Sequence, residues 1–481
     1  MLVPLWAMGR RFKPFRASMK LEDAASDGLA VARHGERVIF VEKGVPGDTA
    51  MVDVFRRKKK ALIGKILEVE QASEDRIDPV CQHFGLCGGC KWQMMDYQAQ
   101  LKWKQKQVYD AFQRIGKVEV ADKKPILGAD PTYRYRNKLE FTFSSKAWLT
   151  KEQIDSEEVI DQRVLGYHTA RIFDKIIDID SCHLQRDIIN AIRNRTREIA
   201  RELNIPFYDI REHTGFLRNL VFRTAEHEQE LMLTLIVSED KREWLDAIFS
   251  RLETEFPQIN HFIWIVNEKL NSSYSDLPFH VWKGKEYVTE KLDNYLFKIS
   301  PTSFFQTNPF QAQNLYATVR EFLAASLPKG KEKHGVVYDL YTGTGSIGIY
   351  VSELAESIAG IEYVESAVTD AYANAKLNKL SHLSFHAGDM KKVLNEEFIS
   401  NHGKPEVIIS DPPRAGMDPK VVEKILELSP EYVIYVSCKP STQARDIALM
   451  DEQYEVLAIQ PVDMFPQTAH VENVAWLKRR S

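Results

Sequence analysis

The sequence predicts a Rossmann-like α/β domain at its C-terminal end, preceded by a small N-terminal β-barrel and a mixed α+β central domain. The length of 481 residues corresponds to about three domains of roughly 150 residues each. Val- and Ile-rich runs separated by glycines fill residues 20–70, and apolar runs alternate with helical stretches after residue 333. The predicted boundaries are 1–18 for a basic N-terminal extension, 19–72 for the barrel, 73–300 for the central domain and 301–481 for the α/β domain.

The composition excludes several classes of protein. Apolar residues make up 44% of the chain and charged residues 27%, which excludes disordered and collagen-like chains. No apolar stretch approaches the ~20 residues of a membrane helix, so we expect a soluble protein. Basic residues follow the apolar run Met1–Ala7 instead of preceding it, so we expect no secretory signal, and Met19 is a candidate natural start. The odd number of cysteines, five, favours a reducing, cytoplasmic location.

The barrel is predicted from four apolar runs between turns formed by glycines and the Pro46-Gly47 pair. The runs are Leu29–Ala32, Arg37–Glu42, Ala50–Arg56 and Ala61–Val69, and their spacing suggests five strands. Residues 1–70 hold 14 Lys and Arg against nine Asp and Glu, although the whole chain carries −4. We expect the basic run Arg56–Lys60 at an exposed hairpin tip, available to phosphates; a solvated charged surface is the alternative.

The central region carries one clear helix and one clear strand. Apolar residues repeat at helical spacing from Met95 to Gly116, and glycine can end the helix. Residues Arg136–Phe143 alternate polar and apolar, as in a half-buried strand. The preceding stretch Tyr133–Lys138 interleaves aromatic and basic residues, which can stack bases and contact phosphates. An ordinary edge strand is the alternative.

In the α/β domain, polar residues follow five successive strands. The predicted strands are Val336–Leu340, Ser357–Ile361, Ser384–His386, Val407–Ser410 and Tyr432–Val436, followed by Glu455–Val462 and Val474–Lys478 as a possible antiparallel hairpin. The residues at the ends of the first five strands are Asp339, Glu362, Asp389, Asp411 and Cys438. Ligands of open α/β sheets bind at the carboxyl ends of strands, so this edge is the predicted site.

Two motifs indicate the ligand. The glycine-rich turn Asp339–Gly345 enters a helix, and Glu362 lies where a carboxylate can accept both ribose hydroxyls. This turn fits the adenosine part of S-adenosylmethionine as well as a dinucleotide. The motif Asp411–Arg414 favours the methyl donor, because its two prolines form a stiff wall that holds Asp411 beside the reacting base.

Cys438 is the candidate nucleophile. It follows an apolar strand and precedes the predicted helix Thr442–Met450, so unpaired backbone N–H groups and Lys439 should stabilise its thiolate. A buried, inert cysteine is the alternative. Glu472, in a loop before the last strand with His470 nearby, is the candidate base, because partial desolvation makes a carboxylate more basic.

Taken together, these motifs resemble the S-adenosylmethionine-dependent RNA (uracil-5-)-methyltransferases, which make 5-methyluridine in transfer and ribosomal RNA. The residues that carry the resemblance are Gln306, Asp339–Gly345, Asp411–Arg414, Ser437–Pro440 and His470–Glu472. The resemblance implies a class I methyltransferase domain with donor binding by Gln306, Tyr341, Glu362 and Asp411, to which Asp389 is added by its position. It also implies covalent catalysis by Cys438 at carbon 6 of uracil, proton removal from carbon 5 by Glu472, and a hydrogen bond between Asp411 and the target uracil.

The four remaining cysteines suggest a metal centre. Cys81, Cys87, Cys90 and Cys182 supply the four thiolates that a [4Fe-4S] cluster or a structural zinc requires. Their spacing resembles the [4Fe-4S] site of one branch of the family, with zinc as the alternative, and we expect a structural role. The N-terminal barrel resembles the TRAM RNA-binding module of the same family.

The predicted function is methylation of carbon 5 of a specific uridine in RNA by a monomeric enzyme. The favoured substrate is 23S ribosomal RNA, because the barrel and the cysteine set occur together in the ribosomal branch; a transfer-RNA enzyme acting on the T-loop uridine is the alternative. An N-methyltransferase could use Asp411–Arg414 but would not need Cys438. A non-catalytic RNA-binding or ribosome-assembly protein is the alternative from another class.

Overall fold

The computed structural model describes residues 12–58, 61–156, 160–169 and 172–481, which form two compact units. The first unit comprises the described residues of Met1–Gly85, Gly89–Gln107 and Phe465–His470, and the second those of Leu86–Gly88, Val108–Met464 and Val471–Ser481. The barrel lies in the first unit. The regions predicted as central and α/β domains both lie in the second, so the predicted boundary at residue 300 does not separate compact units.

The barrel is closed by five strands in the order β1-β2-β3-β5-β4. Its strands are β1 (Phe15–Ala24), β2 (Ala30–His34), β3 (Arg37–Glu42), β4 (Thr49–Lys58) and β5 (Ala61–Gln71). Successive side chains of a strand point to opposite faces, and the inward ones form a buried core. This core includes Leu21, Ile39, Val41, Val52 and Val54. The predicted N-terminal barrel is confirmed.

Strand β4 bears on two predictions from the sequence. Phe15–Ser18 pair with Val54–Met51, so β1 begins four residues before the predicted barrel boundary at 19. The physical reason is that Phe15 and Ala17 pack against the barrel core. The extension predicted over 1–18 is therefore wrong for 15–18, and residues 1–11 lie outside the described part.

At the C-terminal end of β4, Arg56–Lys58 are exposed in the predicted hairpin, whereas Lys59 and Lys60 lie outside the described residues.

The predicted helix from Met95 to Gly116 is present with a change of helix type. It forms α1 (Tyr97–Asp110), which continues as a π-helical segment over Ala111–Gly116 and ends at Lys117, a residue with φ 54°. A Cβ atom on Gly116 would lie 3.0 Å from the Ala444 carbonyl oxygen, so glycine allows a close approach there.

The central region is built on a seven-stranded sheet in the order β13-β12-β11-β10-β7-β8-β9. Its strands are β7 (Lys138–Ser144), β8 (Val164–His168), β9 (Ile176–Asp178), β10 (Leu217–Thr224), β11 (Leu231–Val237), β12 (His261–Val266) and β13 (Phe279–Lys283). The helices of this region are α2 (Lys151–Asp155), α3 (Asp187–Glu202) and α4 (Arg242–Glu255). Every residue of β10 and β11 is buried, so both faces of the sheet are covered there. The hairpin of β14 (Val288–Leu292) and β15 (Tyr295–Ile299) follows.

The α/β region contains an eight-stranded sheet in the order β18-β17-β16-β19-β20-β22-β21-β6. Its strands are β6 (Val120–Lys123), β16 (His334–Leu340), β17 (Ala355–Glu362), β18 (Leu383–Ala387), β19 (Val407–Ser410), β20 (Tyr432–Ser437), β21 (Tyr454–Val462) and β22 (Glu472–Arg479). Its helices are α5 (Pro309–Ala325), α6 (Ser346–Tyr350), α7 (Glu365–Leu377), α8 (Met390–Val393), α9 (Glu396–His402), α10 (Pro419–Leu428) and α11 (Pro440–Ala448), with a 3-10 turn at Ser352–Leu354. The predicted doubly wound sheet and the antiparallel hairpin at its end are both confirmed.

The order of the strands reverses between β16 and β19. From β16 the chain moves outward to β17 and β18, and it then returns to β19 and β20 on the other side, all in parallel orientation. Strand β22 runs antiparallel between β20 and β21. Ligands of open α/β sheets bind at such a reversal, beyond the carboxyl ends of the strands.

None of the helices in the described part of the chain combines the length and the hydropathy needed to cross a lipid bilayer.

Candidate active site

Asp339 ties the glycine-rich loop to the sheet. It is fully buried and is the second-last residue of β16, whereas the sequence predicted it directly after the strand. Its Oδ2 accepts hydrogen bonds from Thr342 Oγ1 (2.5 Å) and from the Gly348 backbone N–H (3.1 Å). Burial raises the pKa of Asp339 to about 6. The carboxyl group therefore organises the turn that leads into α6.

The loop itself requires glycine. Tyr341, Gly343 and Gly345 all have positive φ angles, of 63°, 57° and 78°. A Cβ atom on Gly345 would also lie 3.0 Å from Phe385 Cζ and 3.1 Å from Ala371 Cβ, which leaves no ordinary room for a side chain. Glycine thus allows both the left-handed turn and the close approach to the neighbouring strand and helix.

The structure brings Glu362 and Asp389 to the same edge as the loop. Glu362 is the last residue of β17, and its carboxylate accepts hydrogen bonds from the backbone N–H groups of Gly343 (3.1 Å) and Val364 (3.0 Å). Asp389 caps α8 by accepting from the Lys391 N–H (3.1 Å), and its charge acts on Tyr341. Burial, together with nearby carboxylates, raises the pKa of Tyr341 to about 12.

Gln306 lies in the segment before α5. The predicted start of α5 is confirmed, because Asn308 is the N-cap and Pro309 the first helical residue. Gln306 is buried, and its carbonyl oxygen accepts a hydrogen bond from Asn137 Nδ2 (3.2 Å). Asn137 also donates its backbone N–H to the Thr307 carbonyl (2.9 Å), so the central sheet holds this segment in place.

Asp411 follows β19 as predicted and belongs to a group of carboxyls. Its backbone N–H donates to the Leu340 carbonyl (3.2 Å), which links the ends of β19 and β16. Burial and the charge of Asp339 raise the pKa of Asp411 to about 7. The buried phenol of Tyr316 also feels Asp339, Asp411 and Glu472, so these acidic side chains converge on one region.

Strand pairing places Cys438 and Glu472 opposite each other. Strands β20 and β22 are antiparallel, and their ladder ends with Ser437 paired to Asn473. The next residues outward are Cys438 and Glu472, and Glu472 is the first residue of β22, not a loop residue as predicted. Gln443, fully buried in α11, fixes this register by donating to the carbonyls of Tyr435 (2.7 Å) and Asn473 (3.2 Å).

The electrostatic environment of Cys438 corrects one prediction. We expected the helix N-terminus and Lys439 to stabilise the thiolate. Instead, burial and the charges of Glu472 and Asp411 raise the pKa of Cys438 to about 11. The reason is that two carboxyls from distant parts of the sequence lie beside the thiol, which the sequence around Cys438 does not reveal.

Glu472 has a raised pKa as predicted for a desolvated base. Its side chain is buried, with 4% exposure. Burial and the charge of Asp411 raise its pKa to about 8. A carboxyl with a pKa close to neutrality can both take and release a proton at physiological pH.

Arg414 is a site residue for which the sequence predicts no separate role. Its guanidinium hydrogen-bonds Cys438 and lowers the pKa of both Cys438 and Glu472, against the effect of the carboxyls. The signal was present in the motif Asp411–Arg414, but the direction of the arginine side chain depends on the turn after the two prolines. The site therefore combines a thiol, two carboxyls and one guanidinium beside the glycine-rich loop.

The cysteine set is not supported as a metal centre. Cys87 and Cys182 lie in the second unit, and both act on the buried Tyr167 phenol. Cys81 and Cys90 lie in the first unit. Over residues 12–481, apart from the three short gaps in the description, no three His, Cys, Asp or Glu side chains are arranged to hold a metal ion. The [4Fe-4S] cluster and its zinc alternative stay predictions from spacing.

Comparison with known proteins identifies close relatives. Residues 280–480 match the family model described as tRNA (uracil-5-)-methyltransferase. RNA methyltransferases of Bacteroides thetaiotaomicron and Porphyromonas gingivalis, both described as uncharacterized, are 46% and 42% identical over 95% and 96% of this chain and over their full lengths. The crystal structure of Pyrococcus abyssi tRNA (uracil-54, C5)-methyltransferase in complex with S-adenosyl-L-homocysteine is similar with 27% identity and a TM-score of 0.73, covering 96% of this chain and 100% of that one.

Proposed function

This chain belongs to the S-adenosylmethionine-dependent RNA (uracil-5-)-methyltransferases, and we propose that it acts through a covalent bond between Cys438 and the target uracil. The observation that supports this proposal is the cross-strand position of Cys438 and Glu472 beyond the end of the β20–β22 ladder. A transfer of a methyl group to a nitrogen atom would not need a thiol at that point. Methylation of carbon 5 of uracil needs the thiol, because carbon 5 is a poor nucleophile until carbon 6 is attacked, and it needs a base to remove the proton from carbon 5 afterwards.

The proposed reaction begins with Cys438. Its Sγ forms a bond to carbon 6 of uracil, and the electron pair of the ring double bond moves toward carbon 5. S-adenosylmethionine supplies an electrophilic methyl group on a sulfonium. Carbon 5 takes this methyl group as the sulfonium–methyl bond breaks. Because attack requires the thiolate, the hydrogen bond from Arg414 to Cys438 favours this step.

Glu472 completes the reaction in this proposal. Its carboxylate removes the proton from carbon 5, the ring double bond forms again, and the bond between Cys438 Sγ and carbon 6 breaks. The pKa of about 8 suits this role, since the carboxylate is basic enough to accept the proton and is still partly ionised near neutrality. Asp411, beside both groups, is proposed to hydrogen-bond the uracil and hold it in register.

The donor is proposed to bind at the glycine-rich loop. Tyr341 and Glu362 lie at the ends of β16 and β17, and Asp389 caps the helix that follows β18. Gln306 is buried in the segment before α5 and is proposed to contact the same donor. Together with Asp411 these are the proposed donor-binding residues, with Glu362 accepting hydrogen bonds from the ribose hydroxyls.

The proposed RNA substrate is 23S ribosomal RNA, on the grounds of the N-terminal barrel together with the cysteine set. Transfer RNA is the second candidate, favoured by the similarity to the Pyrococcus abyssi enzyme. Mapping of 5-methyluridine in total RNA from cells with and without this protein tests both. Loss of the mark from 23S RNA supports the first candidate, and loss from the T-loop of transfer RNA alone supports the second.

A further inference from the structure

The loop that precedes Glu472 is held by side chains that have no part in the reaction described above. Residues 465–470 connect β21 to β22 and belong to the first unit. Within this loop Gln467 is buried, with 3% exposure, and has a φ angle of 68°. A non-glycine residue in this left-handed conformation persists only where its surroundings fix it. The loop is therefore imposed on the chain by its neighbours.

Gln100 of α1 is the main support of Gln467. Its Oε1 accepts a hydrogen bond from the Gln467 backbone N–H (2.9 Å), and its Nε2 donates to Gln467 Oε1 (3.0 Å). The same Nε2 lies within hydrogen-bond distance of the carbonyls of Met95 (2.9 Å) and Trp92 (3.1 Å). Gln100 is 1% exposed, so the loss of its amide would leave several buried polar groups without these partners.

Two further contacts fix the same loop. The carbonyl of Gln467 accepts hydrogen bonds from the backbone N–H groups of Lys91 and Trp92, both at 3.0 Å, directly after Cys90. The fully buried Lys104 donates from Nζ to the Phe465 carbonyl (3.0 Å). The loop is thus held at Phe465 and at Gln467 by α1 and by the segment that follows Cys90.

We propose that Gln100 is a positioning residue for Glu472, which it acts on by fixing the loop at Gln467. The loop ends at His470, and one residue, Val471, separates it from Glu472. A shift of the loop therefore moves the start of β22, where the base stands. This inference rests on the proposed function, because it concerns the step in which Glu472 removes the proton from carbon 5.

The positioning role of Gln100 predicts a defect at one step of the reaction, the removal of the proton from carbon 5. Cys438 follows β20, in a part of the chain separate from the loop, so in this proposal attack on carbon 6 and methyl transfer do not depend on the loop. Proton removal by Glu472 does depend on it. A variant without the Gln100 amide should form the covalent adduct at a normal rate but resolve it slowly, so that the enzyme accumulates bound to methylated RNA.

The test compares Gln100→Ala with Gln98→Ala. Gln98 lies on the same helix but is exposed, so its truncation is a matched control. Total RNA from cells lacking the protein serves as substrate with S-adenosylmethionine. Adducts that survive denaturation are counted by gel electrophoresis, and multiple turnover is followed by methyl incorporation. We expect at least a tenfold fall in turnover and adduct accumulation for Gln100→Ala, and neither for Gln98→Ala.

Other results would overturn the inference. Turnover of Gln100→Ala within twofold of Gln98→Ala contradicts it, and so does a parallel loss of adduct formation and turnover, which a merely structural role produces. If Gln100→Ala does not fold, Lys104→Met removes a second side-chain contact to the loop and is held to the same criteria. Glu472→Gln distinguishes failure of this inference from failure of the proposed function. If Glu472→Gln traps the adduct and the loop variants do not, only this inference fails. If Glu472→Gln does not trap the adduct, the proposed role of Glu472 fails as well.

Discussion

Cys438 and Glu472 occupy opposing positions one residue beyond the last pair of the β20–β22 ladder, Ser437 with Asn473. The pairing of the two strands therefore decides which residues meet in the site, although 33 residues separate the two in sequence. Gln443 holds the ends of both strands through the carbonyls of Tyr435 and Asn473. The geometry of the proposed nucleophile and the proposed base is thus a property of the sheet.

Replacing Arg414 should shift the pH dependence of kcat/KM to higher pH. Arg414 lowers the pKa of both Cys438 and Glu472, and the proposed reaction needs both groups deprotonated. In Arg414→Gln we expect the rising limb to move upward by about 0.5 pH unit or more, a modest shift because Arg414 is exposed. Lys439→Gln is the control, and an equal shift in that variant would contradict the assignment to Arg414.

Replacing Glu472 should stabilise the fold at alkaline pH. Its pKa is raised from 4.5 to about 8 in the folded protein, so the free energy of unfolding falls as pH rises from about 4.5 to about 8 and stays low above that range. Glu472→Gln removes this ionisation. Thermal unfolding should show a gain over wild type that is larger at pH 9 than at pH 6, of about 1 kcal/mol or more at pH 9. A gain that is equal at both pH values would show that Glu472 ionises normally.

Replacing Glu362 should abolish stabilisation by the donor. A ligand at one hundred times its Kd stabilises a folded protein by about 2.7 kcal/mol. We expect this gain in thermal unfolding with S-adenosylmethionine for wild type and for Glu356→Ala, whose exposed side chain lies near the other end of β17. Glu362→Ala should lose it, because the variant removes both the predicted ribose contact and the carboxylate that accepts from Gly343. A full gain in Glu362→Ala would place the donor elsewhere.

Replacing Arg57 should weaken RNA binding and make the affinity less dependent on salt concentration. Arg57 is exposed near the end of β4 in the barrel, where the sequence predicted phosphate contacts. In Arg57→Gln we expect the slope of log affinity against log salt concentration to fall by about one. Lys20→Gln is a control, because Lys20 pairs with Thr49 at the opposite end of β4. Equal slopes for Arg57→Gln and wild type would remove this hairpin from the RNA surface.

The sequence predicted most of the fold and many of the residues at the sheet edge. The periodicity of apolar residues and the glycine turns located the barrel, α1 and the strands of the α/β sheet, because these signals are local. The positions of Glu362, Asp389, Asp411 and Cys438 at strand ends followed from the same pattern. Asp339 lies one residue inside its strand, since its carboxyl is needed beneath the loop to bind Thr342 and Gly348.

Features that depend on contacts distant in sequence were missed or mistaken. The pKa of Cys438 is raised because Glu472 and Asp411 come from other strands, whereas its local sequence predicted a stabilised thiolate. The direction of the Arg414 side chain is likewise set by the fold. The grouping of Cys81, Cys87, Cys90 and Cys182 was inferred from spacing alone and stays a prediction, since the described residues show no metal-binding group.

The most direct measurement uses RNA in which the target uridine is replaced by 5-fluorouridine. Fluorine at carbon 5 cannot be removed as a proton, so a covalent intermediate should persist after methyl transfer. Wild-type enzyme with S-adenosylmethionine should gain the mass of one methylated RNA, with the link mapped by peptide mass spectrometry to Cys438, and Cys438→Ala should form no adduct and transfer no methyl group. Methyl transfer by Cys438→Ala at the wild-type rate, or an adduct at another residue, would contradict covalent catalysis by this thiol.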